Sequence, residues 1–402
     1  MNRLLYALDN PIQNYAWGSH ESLAAIRGAK APTEKPEAEL WMGAHPAAPS
    51  LVASNGKRSL LELTQAEPDS TLGPIVKETF GGRFPFMLKL LAAAEPLSLQ
   101  AHPTIEQARS GFAREDAAGI PRTAPHRNYK DDNHKPELLA ALTPFHALVG
   151  FREARATLRL FERLRLPHLE PFANALAREP ETEGLRAFFE LAMTAEPSAK
   201  AELARATLDA CRRASGPAGE FSKELAWAVR LGEKYPGDPG LVVALALNLL
   251  ELSPGDAVYL PARNLHAYLE GTGVEIMASS DNVLRGGLTP KHVDVPELLA
   301  VLDFRAGPAK LVAVEQRGTE YHYSTPAPEF ALSRLELSGA TTGAGAVNGP
   351  EIVVVTRGAV TLRRGAETLA LASGASAFVP ARGGDYTLHG SATVFRARVN
   401  AA

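Results

Sequence analysis

The sequence of 402 residues contains a single cysteine, Cys211. No intramolecular disulfide can therefore form, and no zinc site can be built from cysteine thiolates. The chain also lacks a run of roughly 18 apolar residues, the length that a membrane-spanning helix requires. Its N-terminal stretch, MNRLLYALDNPIQ, lacks the apolar core of a secretory signal. From these absences we expect a cytoplasmic protein in a reducing compartment.

An excess of charge of one sign is also missing. The chain has 42 Lys and Arg residues against 45 Asp and Glu residues, which leaves a formal net charge of −3 at pH 7. This balance gives no electrostatic basis for binding nucleic acid or an anionic membrane. Neither of the glycine-rich motifs that cradle nucleotide phosphates, the P-loop and GxGxxG, is present. We therefore expect a small-molecule ligand, with no nucleic-acid or membrane partner.

At 45% hydrophobic and 22% charged, the chain has the composition of an ordinary globular protein of two or three domains. Its first 150 residues are rich in proline, glycine and short apolar runs, which predicts short strands, turns and a few short helices. The segment FPFMLKLLAAA, residues 84–94, reads as a largely buried strand that contains Lys89. A helix is predicted after Thr104, which can form a capping box with Gln107.

From Phe151 the pattern becomes helical. Residues 151–183 contain no glycine, and three further segments up to residue 235 continue the helical spacing of apolar side chains. The segment DPGLVVALALNLLEL, residues 238–252, is ambiguous by periodicity. Its length and its Ala and Leu content favour one more helix.

Strand patterns resume near residue 253, and from about Lys310 the chain reads as all β. Runs such as EIVVVT and AVTLRR are predicted to be separated by glycine or serine turns. The segment LSPGDAVYLPA (252–262) aligns with LASGASAFVPA (371–381), and both place a glycine turn before a short apolar strand that ends in proline. This faint repeat fits two copies of an antiparallel barrel, with a helical segment inserted in the first.

The stretch PLSLQAHP, residues 96–103, carries the first unusual chemistry. Side chains alternate between the two faces of a strand, so Ser98, Gln100 and His102 share one face and apolar residues occupy the other. Together with Glu137 and His266 the Gln and His side chains would offer nitrogen and oxygen ligands that suit zinc. The alternatives are a polar strand edge and a histidine in a surface loop, and spacing alone does not decide between them.

A second cluster is cationic. Arg285, Lys291 and Lys135 could grip an anion with their side chains. The alternative is that Asp281 and Arg285 form a structural salt bridge in a loop while the lysines are solvated. Residue types alone leave both interpretations open.

Several motifs resemble, nearly throughout, the type I mannose-6-phosphate isomerase family, whose zinc enzymes interconvert mannose 6-phosphate and fructose 6-phosphate. They occur in the family's order from Asn10 to about Phe304, without departure at the motif positions. The helical middle and the last hundred residues resemble the family only in their pattern of predicted helices and strands. The motifs are NPIQNYAWGS, AELWMGAHPAAPS, PLSLQAHP, NYKDDNHKPELL and SSDNVLRGGLTPKHVDVPELL.

The resemblance implies a mainly β fold with an α-helical insertion, made of two cupin-type jelly-roll β-barrel domains plus a helical domain. Residues 1–150 and 246–308 would form a discontinuous catalytic cupin domain. Residues 151–245 would be the α-helical insertion, and residues 309–402 a C-terminal cupin-like barrel. We expect a monomer that carries one zinc ion per chain.

The resemblance also assigns the site. It places the zinc ligands at Gln100, His102, Glu137 and His266. The catalytic residues that it implies are Arg285, Lys135, Asp281 and Glu275, and those near the substrate are Trp17, Ser98, Lys89, Tyr268 and Lys291.

The chemistry would be aldose–ketose isomerisation through ring opening and an enediol. Such a reaction needs a base that moves a proton between C1 and C2 and a group that stabilises charge on oxygen. We predict Lys135 or Glu275 as the base, Arg285 as a fixed cation, and Asp281 or His102 as helpers in ring opening.

Three other functions stay open at this stage. The same scaffold could act on another sugar or sugar phosphate. A cupin oxygenase would use Fe(II) with two histidines and one carboxylate, but a fourth protein ligand, Gln100, would occupy a position that oxygen chemistry needs. A non-catalytic metal-binding sugar sensor is the third, and the C-terminal barrel could be of this kind because Asp385 stands at the place equivalent to His266.

Overall fold

A computed structural model describes residues 3–52, 58–180, 182–345 and 347–400. Within these ranges the chain forms nineteen strands and twelve α-helices, and the strands pair antiparallel in a nine-stranded and a ten-stranded sheet. The mainly β fold predicted from the sequence is therefore confirmed. None of the described helices is both long and apolar enough to span a membrane.

The strands, in chain order, are β1 (Tyr6–Asp9), β2 (Ile12–Gln13), β3 (Glu39–Met42), β4 (Leu51–Val52), β5 (Phe86–Ala93), β6 (Leu99–Ala101), β7 (Glu137–Ala141), β8 (Phe145–Phe151), β9 (Leu247–Leu252), β10 (Ala257–Leu260), β11 (His266–Ala278), β12 (Leu284–Gly287), β13 (Val314–Arg317), β14 (Glu320–Tyr323), β15 (Ala331–Gly343), β16 (Glu351–Arg364), β17 (Glu367–Ala372), β18 (Ser376–Val379) and β19 (Thr387–Arg398).

The helices are α1 (Ser22–Ile26), α2 (Leu60–Ala66), α3 (Pro68–Thr71), α4 (Pro74–Thr79), α5 (Ile105–Ala117), α6 (Ala154–Leu164), α7 (Glu170–Arg178), α8 (Thr182–Thr194), α9 (Pro197–Ala214), α10 (Ser222–Lys234), α11 (Gly240–Leu245) and α12 (Val295–Val301).

Strand β11 organises the ten-stranded sheet. Its first half pairs with β6 and β8, and its second half pairs with β5 and β7. This change of partners places His266 opposite Gln100 at one end and Glu275 opposite Lys89 further along. Cross-strand neighbours share a face of the sheet. One strand therefore gathers polar side chains from segments that lie far apart in the sequence.

The capping box predicted before α5 is confirmed. The Thr104 hydroxyl accepts a hydrogen bond from the backbone amide of Gln107 at 3.2 Å, and the Gln107 side chain accepts one from the amide of Thr104 at 2.9 Å. Two of the amides that a helix start leaves unpaired are thereby satisfied. The helix consequently begins directly after the strand segment that ends at His102.

The helical segment packs against the apolar face of PLSLQAHP. Leu99 and Ala101 are fully buried and belong to the same hydrophobic core as Phe188 and Phe189 of α8. The alternation predicted for this stretch is thus confirmed at Leu99 and Ala101, whereas Leu97, before the strand begins, lines the cleft beside Ser98. The polar side of the stretch faces the cleft described below.

The single helix predicted over 238–252 is wrong. Helix α11 ends at Leu245, and β9 begins two residues later and pairs with β8, with Leu249 opposite Leu148. The open edge of β8 offers backbone partners to this segment, and such tertiary pairing outweighs the helix preference of Ala and Leu.

The turn predicted between EIVVVT and AVTLRR is also wrong, because both runs lie in the continuous strand β16. The strand shifts register between Val355 and Arg357 and continues through Gly358 at φ +80°. A Cβ atom at Gly358 would lie 2.1 Å from the carbonyl oxygen of Ser391. Glycine therefore allows the neighbouring backbone to approach closely, where a turn had been expected.

The two copies of the faint repeat have the same local structure. Each is a strand end, a turn with a glycine at positive φ (Gly255 at +96° and Gly374 at +82°), and a short strand. At equivalent positions Leu260 pairs with Glu137, whereas Val379 pairs with Glu351. Glu351 therefore occupies in the nine-stranded sheet the place that Glu137 occupies in the ten-stranded sheet.

Candidate metal centre and substrate cleft

Three buried side chains predicted as metal ligands meet at one point. His102 directly follows β6, Glu137 is the first residue of β7, and His266 is the first residue of β11. Their ligand atoms all lie within 4.8 Å of one another, and each residue is at most 2% exposed. One carboxylate oxygen of Glu137 lies 3.3 Å from His102 Nε2, and the other lies 3.5 Å from His266 Nε2.

The hydrogen bonds of the two imidazoles determine which nitrogen faces the carboxylate. His102 Nδ1 donates to the carbonyl oxygen of Asn282 at 2.7 Å, and His266 Nδ1 donates to that of Asn264 at 3.0 Å. Burial lowers the pKa of His102 to about 4, although Glu137 opposes this shift. The Nε2 atom of neutral His102 is then a hydrogen-bond acceptor that faces a carboxylate.

Acceptors that face acceptors in a buried site repel one another unless a cation lies between them. Among the described residues, neither Nε2 atom nor Glu137 Oε2 has a hydrogen-bond partner. Ligand atoms about 2.0–2.2 Å from a tetrahedral zinc ion would lie roughly 3.3–3.6 Å apart, close to the separations seen here. The residues present therefore fit zinc.

Lys135 balances the carboxylate of this cluster. Its Nζ atom lies 3.0 Å from Glu137 Oε1. Burial raises the pKa of the Glu137 carboxyl, but opposing influences, of which the charge of Lys135 is the largest, hold that pKa well below the ordinary value. Glu137 is therefore ionised and able to bind a cation.

Gln100 lies beside the cluster. It pairs with His266 of β11 on one side and with Arg285 of β12 on the other. Because paired residues share a face, its amide points to the same side as the imidazole of His266. This register supports Gln100 as a fourth ligand.

A cleft of about 550 Å³ opens above the cluster. Nearly every predicted site residue lines it, and the two histidines lie fully buried beneath. The predicted residues in its wall are Trp17, Lys89, Ser98, Gln100, Lys135, Glu137, Tyr268, Glu275, Asp281, Arg285 and Lys291. A second cleft of about 450 Å³, between α1 and the nine-stranded sheet, contains none of them.

One end of the 550 Å³ cleft is cationic. Arg285, Lys291 and Lys130 lie there, and none of the three has an ion-pair partner among the described residues. Burial lowers the pKa of Arg285, and burial together with the charges of Arg285 and Lys130 lowers that of Lys291. Because the described part of the chain supplies no counter-ion to these cations, this part of the cleft is suited to an anion.

The structural salt bridge considered between Asp281 and Arg285 is not formed. Asp281 Oδ2 lies 3.3 Å from His45 Nε2, and the amide of Asp281 donates to Asp131 at 2.7 Å. Burial raises the pKa of Asp281, but the hydrogen bond and charge of His45 lower it further, and the net shift is downward. Arg285 is left facing the cleft.

Lys89 has a different environment from the other cations. Its ammonium group lies 2.9 Å from Glu275 and 3.2 Å from Glu39, and it lies over the ring of Trp41. Burial alone would lower the pKa of Lys89, but the two carboxylates raise it. Trp41 Nε1 donates to the other oxygen of Glu39 at 2.7 Å. Lys89 is therefore paired within the wall of the cleft.

Glu275 and Tyr268 are buried on strand β11. Burial raises the pKa of Glu275, with Lys89 opposing the shift and Glu137 adding to it. Burial and the charges of Glu275 and Glu137 raise the pKa of Tyr268, whose hydroxyl has no hydrogen-bond partner among the described residues. Glu275 can therefore exchange a proton with a ligand in the cleft, whereas the Tyr268 hydroxyl stays protonated and can donate a hydrogen bond.

Trp17 stacks on Tyr15, with ring centroids 5.8 Å apart, and both rings line the cleft. Ser98 lies on the same wall. This wall presents an aromatic surface and a hydroxyl, which are suited to a sugar.

Sequence reasoning missed several residues that shape the site. They are Glu39, Trp41, His45, Lys130 and Asn282. A further one is Glu329, just before β15, whose carboxylate lies 2.6 Å from His134 Nε2. Glu39, Trp41 and His45 lie in the segment AELWMGAH, which matches the family as a motif but indicates no role for these side chains. Lys130 is followed by Asp131 and Asp132, so the local sequence shows no excess of positive charge. No local pattern distinguishes these residues from ordinary polar ones.

Comparisons with known proteins agree with this geometry. A family profile described as the catalytic domain of type I phosphomannose isomerase matches residues 5–154, and one described as the cupin domain of mannose-6-phosphate isomerase matches residues 319–399. The mannose-6-phosphate isomerase of Escherichia coli (strain K12) is 39% identical over 97% of this chain and 98% of its own length. That of Aspergillus fumigatus is 33% identical over 94% and 92%.

Solved structures extend the likeness to the fold. The mannose 6-phosphate isomerase from Salmonella typhimurium, bound to its substrate and to a zinc atom, is 38% identical with a TM-score of 0.89, covering 99% of this chain and 100% of its own. A mannose 6-phosphate isomerase bound with zinc and yttrium gives a TM-score of 0.88 at 38% identity, over the same shares of the two chains. Because these identities extend over nearly the whole chain, the protein belongs to the type I phosphomannose isomerase family.

Proposed function

We propose that the chain is a zinc-dependent isomerase that interconverts mannose 6-phosphate and fructose 6-phosphate. The observation that carries this proposal is one cleft that combines buried acceptors at His102, Glu137 and His266 with three cations, Arg285, Lys291 and Lys130, that have no ion-pair partner among the described residues. The family membership supports the same reaction over the oxygenase and the non-catalytic sensor.

Gln100, His102, Glu137 and His266 would hold one zinc ion per chain. When bound, zinc supplies a Lewis acid that polarises a sugar oxygen and stabilises the charge that develops there. Two neutral imidazoles, one amide and one carboxylate leave the centre with a net positive charge, which favours this role.

The cations Arg285, Lys291 and Lys130 would have different roles. Arg285 lies opposite the ligand Gln100 in the sheet, so we assign it to the oxygens near the reacting carbons. Lys291 and Lys130 would hold the phosphate. The binding energy of the phosphate then positions the reacting carbons over the metal end.

Proton transfer is assigned to Glu275 or Lys135, both in the wall of the cleft. The raised pKa of Glu275, caused chiefly by burial, brings it nearer to the range in which a general base works best. Asp281, held by His45, would assist ring opening. Trp17, Ser98, Tyr268 and Lys89 would shape the space around the sugar.

The domain arrangement is part of this proposal. Residues 1–150 and 246–308 would form the catalytic cupin barrel, residues 151–245 the helical insertion, and residues 309–402 a second cupin barrel. The matching repeat turns support two barrels. Strands β1 and β4, which lie within residues 1–150, pair in the nine-stranded sheet, so this part of the chain contributes to both sheets. A monomeric state and a cytoplasmic location complete the proposal.

Chelation tests the function directly. We expect purified protein to isomerise mannose 6-phosphate in a coupled assay, to lose that activity after chelation, and to regain it on addition of zinc. Unphosphorylated mannose, which cannot use the cationic end, should be a poor substrate. Full activity after complete removal of metal would contradict the proposal, as would zinc-loaded protein that binds sugar phosphate without isomerising it.

The role of Arg285 is tested by Arg285→Ala. We expect kcat to fall by on the order of 10²-fold, because a fixed cation would no longer stabilise the charge that develops on oxygen. Steady-state kinetics with both sugar phosphates measure this. A change confined to KM would instead assign Arg285 to phosphate binding. Lys291→Ala is the matched comparison, with its loss expected mainly in KM.

A further inference from the structure

Asn282 is the most heavily hydrogen-bonded side chain next to the metal centre, and it is fully buried. Its Oδ1 atom accepts from the amides of Lys130 at 2.7 Å and Asp131 at 3.2 Å. Its Nδ2 group donates to the carbonyl of Asp131 at 2.8 Å and to that of Asn133 at 2.9 Å. One side chain therefore closes four backbone groups of residues 130–133.

The backbone of Asn282 reaches the metal ligand. Its carbonyl oxygen accepts the 2.7 Å hydrogen bond from His102 Nδ1, and its amide donates to the Ser280 hydroxyl at 3.2 Å. Asn282 thus joins a zinc ligand to the loop of residues 130–137, which carries Lys130, Lys135 and Glu137. It therefore links the part of the site that carries His102 to the part that carries Lys130.

Only an amide side chain of this length meets these requirements. It offers one acceptor and two donors in a planar fork. Aspartate would lose both donors and would place a second carboxylate beside Asp131, whose Oδ1 lies 3.3 Å from Asn282 Nδ2. An apolar residue of similar size would leave four buried backbone groups unpaired, each at considerable cost.

We propose that Asn282 is a positioning residue for the zinc centre and for the lysine-bearing loop. Its carbonyl sets the ring orientation of His102 so that Nε2 faces Glu137, and its side chain holds residues 130–133, which carry Lys130 and lead into Lys135 and Glu137. The inference rests on the proposed function for its meaning, but it concerns metal binding and can be measured without turnover.

The test compares Asn282→Asp with Asn248→Asp. Asn248 is a matched control because its Nδ2 group also donates to backbone carbonyls, those of Val149, Gly150 and Gly307 at 2.9–3.2 Å, and it does not line the cleft. Zinc affinity is measured by competition with a chromophoric chelator, and stability is measured by thermal unfolding of the metal-free proteins. Steady-state kinetics give kcat and KM.

We expect Asn282→Asp to lower zinc affinity about 10–100-fold, as changes to the groups that orient metal ligands typically do. Asn248→Asp should lose stability and keep its zinc affinity. Zinc affinity of Asn282→Asp within threefold of the parent would overturn the inference, as would an equal loss in both variants.

If Asn282→Asp does not fold, the zinc affinity of Asn282→Ser is measured in its place. The serine hydroxyl keeps one donor and one acceptor, and we expect an intermediate loss of zinc affinity, with unchanged affinity counting against the inference. Failure of the proposed function would look different: the parent would bind zinc and fail to isomerise sugar phosphate, while the affinities of the variants would still order as stated.

Discussion

Glu137→Gln is expected to release zinc and to lower kcat/KM by on the order of 10³-fold or more, the several kcal/mol that a Lewis acid contributes. Glu137 is the one carboxylate in the ligand cluster with His102 and His266. The glutamine keeps the shape of the side chain but removes the negative charge that offsets the metal. It also leaves Lys135, now 3.0 Å from a carboxylate oxygen, beside a neutral amide.

Metal content after dialysis and activity in excess zinc measure this effect. Glu224→Gln is the matched control, because Glu224 is a partly buried glutamate in α10 that pairs with Arg152 outside the cleft. We expect the control to keep its zinc and its turnover. Normal zinc content together with normal activity in Glu137→Gln would refute the metal centre.

Arg396→Met is expected to lower the free energy of unfolding by about 3–5 kcal/mol, the usual cost of removing one partner of a buried ion pair. Arg396 is 1% exposed, and its Nε atom lies 3.6 Å from the carboxylate of Glu351, which is 3% exposed. Burial raises the pKa of Glu351, and Arg396 opposes that shift. Without Arg396, the carboxylate would keep the 2.9 Å hydrogen bond from Tyr386 and the weaker influence of the Arg398 and Arg364 charges.

Urea denaturation followed by circular dichroism measures the loss. Arg398→Met is the comparison. Arg398 lies opposite Glu351 in the strand pairing but forms no ion pair among the described residues, so a smaller loss is expected. The double variant with Glu351→Leu should recover part of the stability, since no charge is then left buried alone. A loss below about 1 kcal/mol in Arg396→Met would contradict this account.

This prediction also bears on the nine-stranded sheet. Glu351 stands where Glu137 stands in the ten-stranded sheet, yet it faces a guanidinium and a phenol where Glu137 faces two imidazoles. The guanidinium of Arg396 therefore supplies beside Glu351 the positive charge that a metal ion would supply beside Glu137. Asp385, at the place equivalent to His266, is exposed.

Local patterns predicted much of the fold. The alternation in PLSLQAHP, the capping box at Thr104 and the helical spacing after Phe151 all depend on neighbours within a few residues, and the structure agrees with each. The error at 238–252 arose where local preference was weak and an unpaired strand edge decided the outcome. A short apolar run in the sequence does not show which strand edge is left without a partner in the fold.

The candidate site divides in the same way. The sequence by itself determined which residue types offer metal ligands and that Ser98, Gln100 and His102 share a face, because side-chain alternation is a property of the single strand. Only the tertiary structure decided that His102, Glu137 and His266 meet, since strand pairing over long sequence separations brings them together. It also decided that Lys89 is paired, that Arg285 and Lys291 have no ion-pair partner among the described residues, and that Asn282 holds residues 130–133. Counter-ions and hydrogen-bond partners come from segments that only folding brings together.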